Sequence, residues 1–139
     1  MYTAILHATD LSEHHYKTCQ QAAEIAKKFD ADLYLLHVIE TPSSLVLAQG
    51  LGFTEIEDPA PLIEDAETVM SVLRDSLKLS KKQTIVEFGA VKQHILQKAT
   101  DLQCEMIIIG HHNPNTPVLL GNTARELVDE ANCDVLTLR

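Results

Sequence analysis

Apolar residues along the chain follow two alternating patterns, short continuous runs and a spacing of three or four. The runs are rich in β-branched residues and end at Asp, Gly or Pro, which is typical of strands. The spaced positions predict helices with one buried face. The predicted strands are 2–9, 32–39, 83–88, 105–110 and 133–138, and the predicted helices are 12–29, one following Pro61, 91–102 and one starting near Thr123.

The helical spacing also predicts which residues face the core. Thr123 and Glu126 fit the S/T-x-x-E capping box, which places the start of the last helix at Thr123. The predicted inward residues, helix by helix, are Tyr16, Cys19, Ala22, Ala23, Ala26 and Phe29; Leu62, Ala66, Val69, Met70, Leu73 and Leu77; Ile95, Leu96, Ala99 and Leu102; and Ala124, Leu127, Val128 and Ala131.

The alternation of strands and helices predicts an α/β fold. Three consecutive isoleucines at 107–109 indicate a strand buried on both faces. Right-handed crossovers then give one domain over 1–139, an open parallel five-stranded sheet with helices on both faces. Such sheets bind ligands where the strand order reverses, between the first and fourth strands. Asp10 and Gly110 end those two strands, so we expect the ligand site between them.

Residues 40–60 break the pattern, with scattered Gly and Pro and an apolar stretch, SSLVLAQGLGF, that has no clear period. We expect a mobile flap over the carboxyl edge of the sheet, with a short helix near 43–50.

Composition and charge narrow the classes of partner. The formal charge is −9 and no run is rich in Lys or Arg, which argues against nucleic acid and against an anionic membrane surface. The three cysteines, Cys19, Cys104 and Cys133, form no C-x-x-C pair and indicate reduced, buried thiols in the cytoplasm. The opening MYTAILHATDLS lacks the basic segment of a secretory signal.

Three stretches together resemble the universal stress protein family. They are AILHATDLSE followed by a helix and DLYLLHVIE, then FGAVKQHILQKATDLQCEMIIIG, and finally GNTARELVDEANCDVLTL. The resemblance covers nearly the whole chain and is weakest over 40–80. It implies strand order 3-2-1-4-5, a fold like that of the adenine nucleotide α-hydrolases, and a dimer.

The family divides into a branch that binds ATP through G-x2-G-x9-G-[S/T] and a branch, typified by the enterobacterial founding member, that lacks this pattern. Gly110 stands at the first glycine, but Asn113 replaces the second. Gly121 matches the third after seven intervening residues rather than nine, and Asn122 replaces the Ser/Thr. The chain therefore resembles the branch without the ATP pattern.

The chemistry of the 110–123 loop supports the same interpretation. Backbone N–H groups hold a triphosphate, and Pro114 and Pro117 each remove one. Asn113 adds a side chain where the backbone should approach phosphate. We therefore expect a degenerate nucleotide or anion site at Asp10, Gly110, Asn113, Gly121, Asn122 and Thr123. Gly121, Asn122 and Thr123 are expected to open a helix, where Arg125 would assist a weakly bound anion.

Asp10 has two interpretations. In ATP-binding members the matching aspartate lies near the base and ribose, which the resemblance carries over to Asp10. Alternatively Asp10 or Ser12 caps the first helix. His37 is expected to be structural and bonded to a backbone group. A metal held by Asp10, His37 and His111 is a weaker alternative, and no pattern of covalent catalysis such as G-x-S-x-G is present.

These observations predict a cytoplasmic stress-response protein without enzymatic turnover and without a cofactor. The strand 133–138 is apolar and would lie at a sheet edge, so we expect a homodimer that pairs through it. Other protein partners cannot be named. The main alternative is an ATP-binding member that uses Asp10 and the 110–123 loop. A slow phosphohydrolase would need a metal and a base that the sequence does not identify.

Overall fold

The computed structural model of the chain describes residues 1–40, 50–52, 60–110 and 119–139, without the side chains of 13–14 and 119–122. The strands are β1 (Ala4–Ala8), β2 (Asp32–Glu40), β3 (Thr84–Gly89), β4 (Met106–Gly110) and β5 (Asp134–Leu138), and the helices are α1 (Glu13–Lys28), α2 (Ala60–Leu77), α3 (Val91–Asp101) and α4 (Leu119–Glu130), with a 3-10 turn at Lys81–Gln83. The expected flap at 40–60 lies almost wholly outside these residues.

The strands form one parallel sheet in the order β3-β2-β1-β4-β5, which confirms the predicted topology. β1 and β4 are central, and their residues alternate between two layers of core. Ile5 and Ile108 face the layer formed with α1 and α2, while Leu6 and Ile107 face the layer formed with α3 and α4. The prediction that β4 is buried on both faces is confirmed.

The predicted helix faces are right at their centres and wrong at their margins. Cys19, Ala22 and Ala26 of α1 are buried, but Tyr16 and Phe29, at the ends of the same stripe, are about two-fifths exposed. The same error affects Leu62 and Val69 of α2 and Val128 of α4, which are exposed. Tyr16 and Phe29 stand near the two ends of α1, whereas Val69 lies in the middle of α2 next to the buried Met70, so periodicity alone overestimates the buried face both along and around a helix.

The last helix begins earlier than predicted. α4 starts at Leu119, so Thr123 lies inside the helix and the capping box of Thr123 and Glu126 is wrong. Leu119 and Leu120 are strong helix formers and extend the helix in front of Gly121. Of the described helices, none is long and apolar enough to cross a membrane.

Candidate functional site

The carboxyl ends of β1 and β4 border a cavity of about 450 Å³, where the strand order reverses. Asp10, Gly110 and Thr123, three of the predicted site residues, line it. Its apolar wall comes from Leu36, Val38, Ile95, Ile109 and Leu127, and its polar lining includes Ser12, His15, Lys17, Thr18, His37, Glu40 and Arg139. The cavity thus lies at the predicted place and carries charged groups of both signs.

The turn between β1 and α1 is held by its own side chains. Oγ1 of Thr9 accepts the N–H of Leu11 at 3.1 Å, and Oδ1 of Asp10 accepts the N–H of Ser12 at 2.8 Å. These bonds stabilise a backbone in which Leu11 has a φ of 60°, a left-handed conformation that costs roughly 1–2 kcal/mol for a leucine. Ser12 is the N-cap residue, but its hydroxyl makes no capping bond. Capping by Ser12 is therefore wrong, and Asp10 bonds the backbone of the N-cap residue instead.

His15 joins this turn to the cavity. Its Nε2 lies 3.2 Å from Oδ1 of Asp10, and its Nδ1 lies 3.4 Å from Oγ1 of Thr9 and from the backbone N of Asp10. A backbone N–H can only donate, so Nδ1 accepts and the ring hydrogen sits on Nε2, which donates to the carboxylate. The Asp10 carboxylate is thus engaged twice, by His15 and by Ser12.

The imidazole of His15 also lies against Gly110. A Cβ atom on Gly110 would stand 3.0 Å from Cε1 of His15, closer than nearly all real contacts of that kind. A side chain at 110 would therefore require the ring to shift by a few tenths of an ångström. The first glycine of the proposed phosphate loop thus borders the cavity with a side chain of the same protein beside it.

Two further histidines lie close to the cavity. Nδ1 of His37 donates to the carbonyl of Thr9 at 2.8 Å, which confirms its structural role. His7 is fully buried in β1, where its Nδ1 donates to the carbonyl of Ile108 at 2.9 Å. Its Nε2 has no hydrogen-bond partner among the described residues. Burial lowers the pKa of His7 to about 4, so the ring is neutral near pH 7.

The remaining predicted residues are only partly described. Gly121 and Asn122 lie within α4 rather than before it, so the expectation that they open a helix is wrong. Asn113 and His111 fall in 111–118, outside the described residues. Within the described ranges, no three His, Cys, Asp or Glu side chains are grouped closely enough to hold a metal.

Sequence reasoning missed the contribution of α1 to the cavity. His15, Thr18 and Gln21 recur at three and face it, next to the apolar stripe that was recognised. That polar stripe was the available signal. No spacing pointed to Lys17 or Arg139, which are brought to the cavity by the fold.

Comparisons with known proteins agree with this fold. A sequence profile described as the universal stress protein family matches residues 1–139. Universal stress protein A homolog 2 of Coxiella burnetii is 34% identical over 122 residues, which cover 86% of this chain and 82% of that protein. Universal stress protein G of Shigella flexneri is 27% identical over 142 residues, which cover all of this chain and all of that protein.

Solved structures show the same architecture. A universal stress protein crystallised in complex with cAMP matches with a TM-score of 0.70 and 16% identity, over 99% of this chain and 97% of that one. The Archaeoglobus fulgidus universal stress protein in complex with dAMP matches with a TM-score of 0.62 and 20% identity, over 99% and 96% of the two chains. The fold, the family profile and the curated relatives agree, and the chain belongs to the universal stress protein family.

Proposed function

We propose that this protein acts in the stress response of the cytoplasm as a homodimer that neither turns over a substrate nor binds ATP tightly. The observation that carries the proposal is the position of His15. Its ring is bonded to Asp10 and lies against Gly110, so His15 is already in contact with two residues that a nucleotide would need. A nucleotide would have to displace the ring before reaching either residue.

The loop sequence supports the same conclusion. Hydrogen bonds to charged groups contribute about 1.5–3 kcal/mol each. Pro114 and Pro117 remove two backbone donors, so their loss would weaken phosphate binding by about 3–6 kcal/mol, or roughly two to four orders of magnitude. A site of micromolar affinity would become millimolar or weaker.

Cytoplasmic residence and dimerisation have separate support. The three cysteines are all free thiols, the form that persists in a reducing compartment. β5 forms one edge of the sheet, pairs with β4 on one side only and keeps three apolar residues, Val135, Leu136 and Leu138. Such an edge favours pairing with a second copy.

A second candidate function is adenine nucleotide binding. It is favoured by the cavity of about 450 Å³, which falls in the size range of small-molecule sites. It is also favoured by the similarity in fold to proteins crystallised with cAMP and dAMP. In this alternative, ATP would bind through Asp10 and the 110–123 loop after the His15 ring moves away.

The nucleotide content of freshly purified protein separates the two candidates. We expect acid extraction of the native protein, followed by chromatography, to release far less than one nucleotide per chain. Purification without added nucleotide and with Mg²⁺ present throughout gives a tight complex the best chance of survival. Release of adenine nucleotide close to one per chain would support the second candidate and contradict the first.

A further inference from the structure

Two cysteines from distant parts of the chain line a second cavity. Cys104 precedes β4 and Cys133 precedes β5, and both border a cavity of about 260 Å³ next to α3 and the end of α4. Its apolar wall includes Leu96, Ala99 and Ile107. Cys104 is buried and Cys133 is partly exposed, so the latter departs from the expectation that all three cysteines are buried.

The strand register brings the two cysteines close together. β4 and β5 are parallel neighbours with Met106 opposite Asp134, and the N–H of Asp134 donates to the carbonyl of Glu105 at 3.2 Å. One position earlier, Cys133 lies opposite Glu105 and one step from Cys104. Cys104 stands two residues before β4, where a strand spacing of about 4.8 Å and one further residue of about 3.3 Å separate the two Cα atoms by roughly 6 Å, and both side chains pack into the same layer of the core. Disulfides span Cα distances of about 4.4–6.8 Å.

We propose that Cys104 and Cys133 form an oxidation site, in which a hydroperoxide converts the two thiols into an intramolecular disulfide. The Cys133 sulfur, the more exposed of the two, loses its proton and attacks the peroxide O–O bond. With hydrogen peroxide this yields a sulfenic acid and one water. The Cys104 sulfur then displaces the sulfenic oxygen, forming the S–S bond and releasing a second water. The two sulfurs together lose two electrons, which the peroxide takes up.

The surroundings of the thiols set the speed of this reaction. Burial, together with the neighbouring Cys133 and Glu105, raises the pKa of the Cys104 thiol to about 12, and burial also raises the pKa of Cys133. Both groups are therefore protonated at neutral pH, and the thiolate is the reactive form. The pair should oxidise slowly, and faster as the pH rises, unlike an activated peroxide-sensing cysteine.

The disulfide between Cys104 and Cys133 would change how the edge strand β5 is held to the sheet. β5 is joined to the rest of the sheet through β4 alone. A disulfide would add a covalent link at the start of both strands and close the chain segment that contains α4. Because a crosslink restricts the unfolded chain, it should stabilise the fold.

The test uses the full-length reduced protein, treated with excess hydrogen peroxide at pH 8 under native conditions and then alkylated. We expect a mass loss of about 2 Da, a peptide linking Cys104 to Cys133, and Cys19 still open to alkylation after unfolding. Tm should rise by roughly 5 °C or more and return on reduction. Cys19→Ala is the matched control and should keep the crosslink, whereas Cys133→Ser and Cys104→Ala should each lose it.

Three results would overturn the proposal. The first is a product carrying only added oxygen on Cys133. The second is a disulfide between two chains. The third is a Cys104–Cys133 link that forms in urea but not in the folded protein. Measuring the wild type beside Cys19→Ala keeps the test valid even if one of the other variants fails to fold.

Discussion

At the scale of single residues, the imidazole of His15 lies in the crevice between β1 and β4. It bonds the carboxylate of Asp10 and lies against the backbone of Gly110. Two of the predicted site residues, Asp10 and Gly110, therefore lie together, but around a side chain of the protein itself. The sequence signalled Asp10 and Gly110 through their positions at strand ends, whereas the role of His15 depends on the rotation of α1 about its axis.

Removing the His15 ring should open the crevice. In His15→Ala, Asp10 loses one charge-assisted bond, a contribution of about 1.5–3 kcal/mol that a ligand could regain. We expect AMP to bind about tenfold or more tightly than to the wild type, as measured by calorimetry. AMP is the probe because the loop lacks donors for a triphosphate. His94→Ala, which changes a histidine outside this cavity, is the control. Equal AMP affinity in all three proteins would contradict the claim that the His15 ring keeps a nucleotide from Asp10 and Gly110.

The buried His7 predicts a specific loss of stability in acid. Its pKa is lowered by burial to about 4 in the folded protein, against an ordinary value of about 6.5 in the unfolded chain. The unfolded state therefore takes up the proton first, so stability is full above pH 6.5 and falls towards pH 4. The expected loss between pH 7.5 and pH 5 is about 2 kcal/mol.

Urea unfolding at the two pH values measures this loss, with His7→Met as the comparison because methionine cannot titrate. Between pH 7.5 and pH 5, the free energy of unfolding of the variant should fall by about 2 kcal/mol less than that of the wild type. This holds whatever the stability of the variant at pH 7.5. Comparing the change in the free energy of unfolding between the two pH values also removes the contributions of nearby titratable groups such as Asp10 and His15, which both proteins share. An equal change in the two proteins would show that His7 is not buried in its neutral form.

At the scale of elements, the strands were more predictable than the helix boundaries. A run such as Ile107–Ile109 has a single interpretation, burial on both faces, and the structure agrees. A helical stripe does not say where the helix leaves the sheet, which is why Tyr16 and Phe29 were wrongly assigned to the core. The start of α4 was missed because the capping pattern at Thr123 outweighed the helix propensity of Leu119 and Leu120.

The edge strand β5 gives the sharpest prediction at this scale. The N–H of Asp134 donates to the carbonyl of Glu105, just before β4, and N–H directions alternate along a strand. The N–H of Leu136 therefore faces β4, and that of Thr137 faces outward, where a second copy would pair. Thr137→Pro should give a folded monomer, whereas Leu136→Pro should break pairing within the sheet and lower the stability.

Light scattering at tens of micromolar, combined with urea unfolding, measures both effects. The wild type should be a dimer, Thr137→Pro a monomer of near-normal stability, and Leu136→Pro clearly destabilised. Thr137→Val is the control, since it keeps the backbone donor and should remain dimeric. A folded dimer of Thr137→Pro would exclude this strand as the interface, and a monomeric wild type would exclude the dimer.

At the scale of the whole molecule, the strand order leaves a cavity of about 450 Å³ at the ends of β1 and β4, and His15 of this chain lines it between Asp10 and Gly110. The sheet order, the position of the cavity and the family could all be predicted, because they follow from strand burial, right-handed crossovers and an ordered set of motifs. The contact of His15 with Gly110 could not be predicted, because it depends on how α1 packs against the end of β4, and no local sequence pattern indicates that packing.

The most direct test of the central claim is a calorimetric titration of the wild-type protein with Mg-ATP near pH 7. We predict no binding tighter than roughly 100 μM, because two loop donors are missing and the His15 ring is bonded to Asp10 and lies against Gly110. A dissociation constant in the low micromolar range would contradict it and establish the crevice as a working nucleotide site.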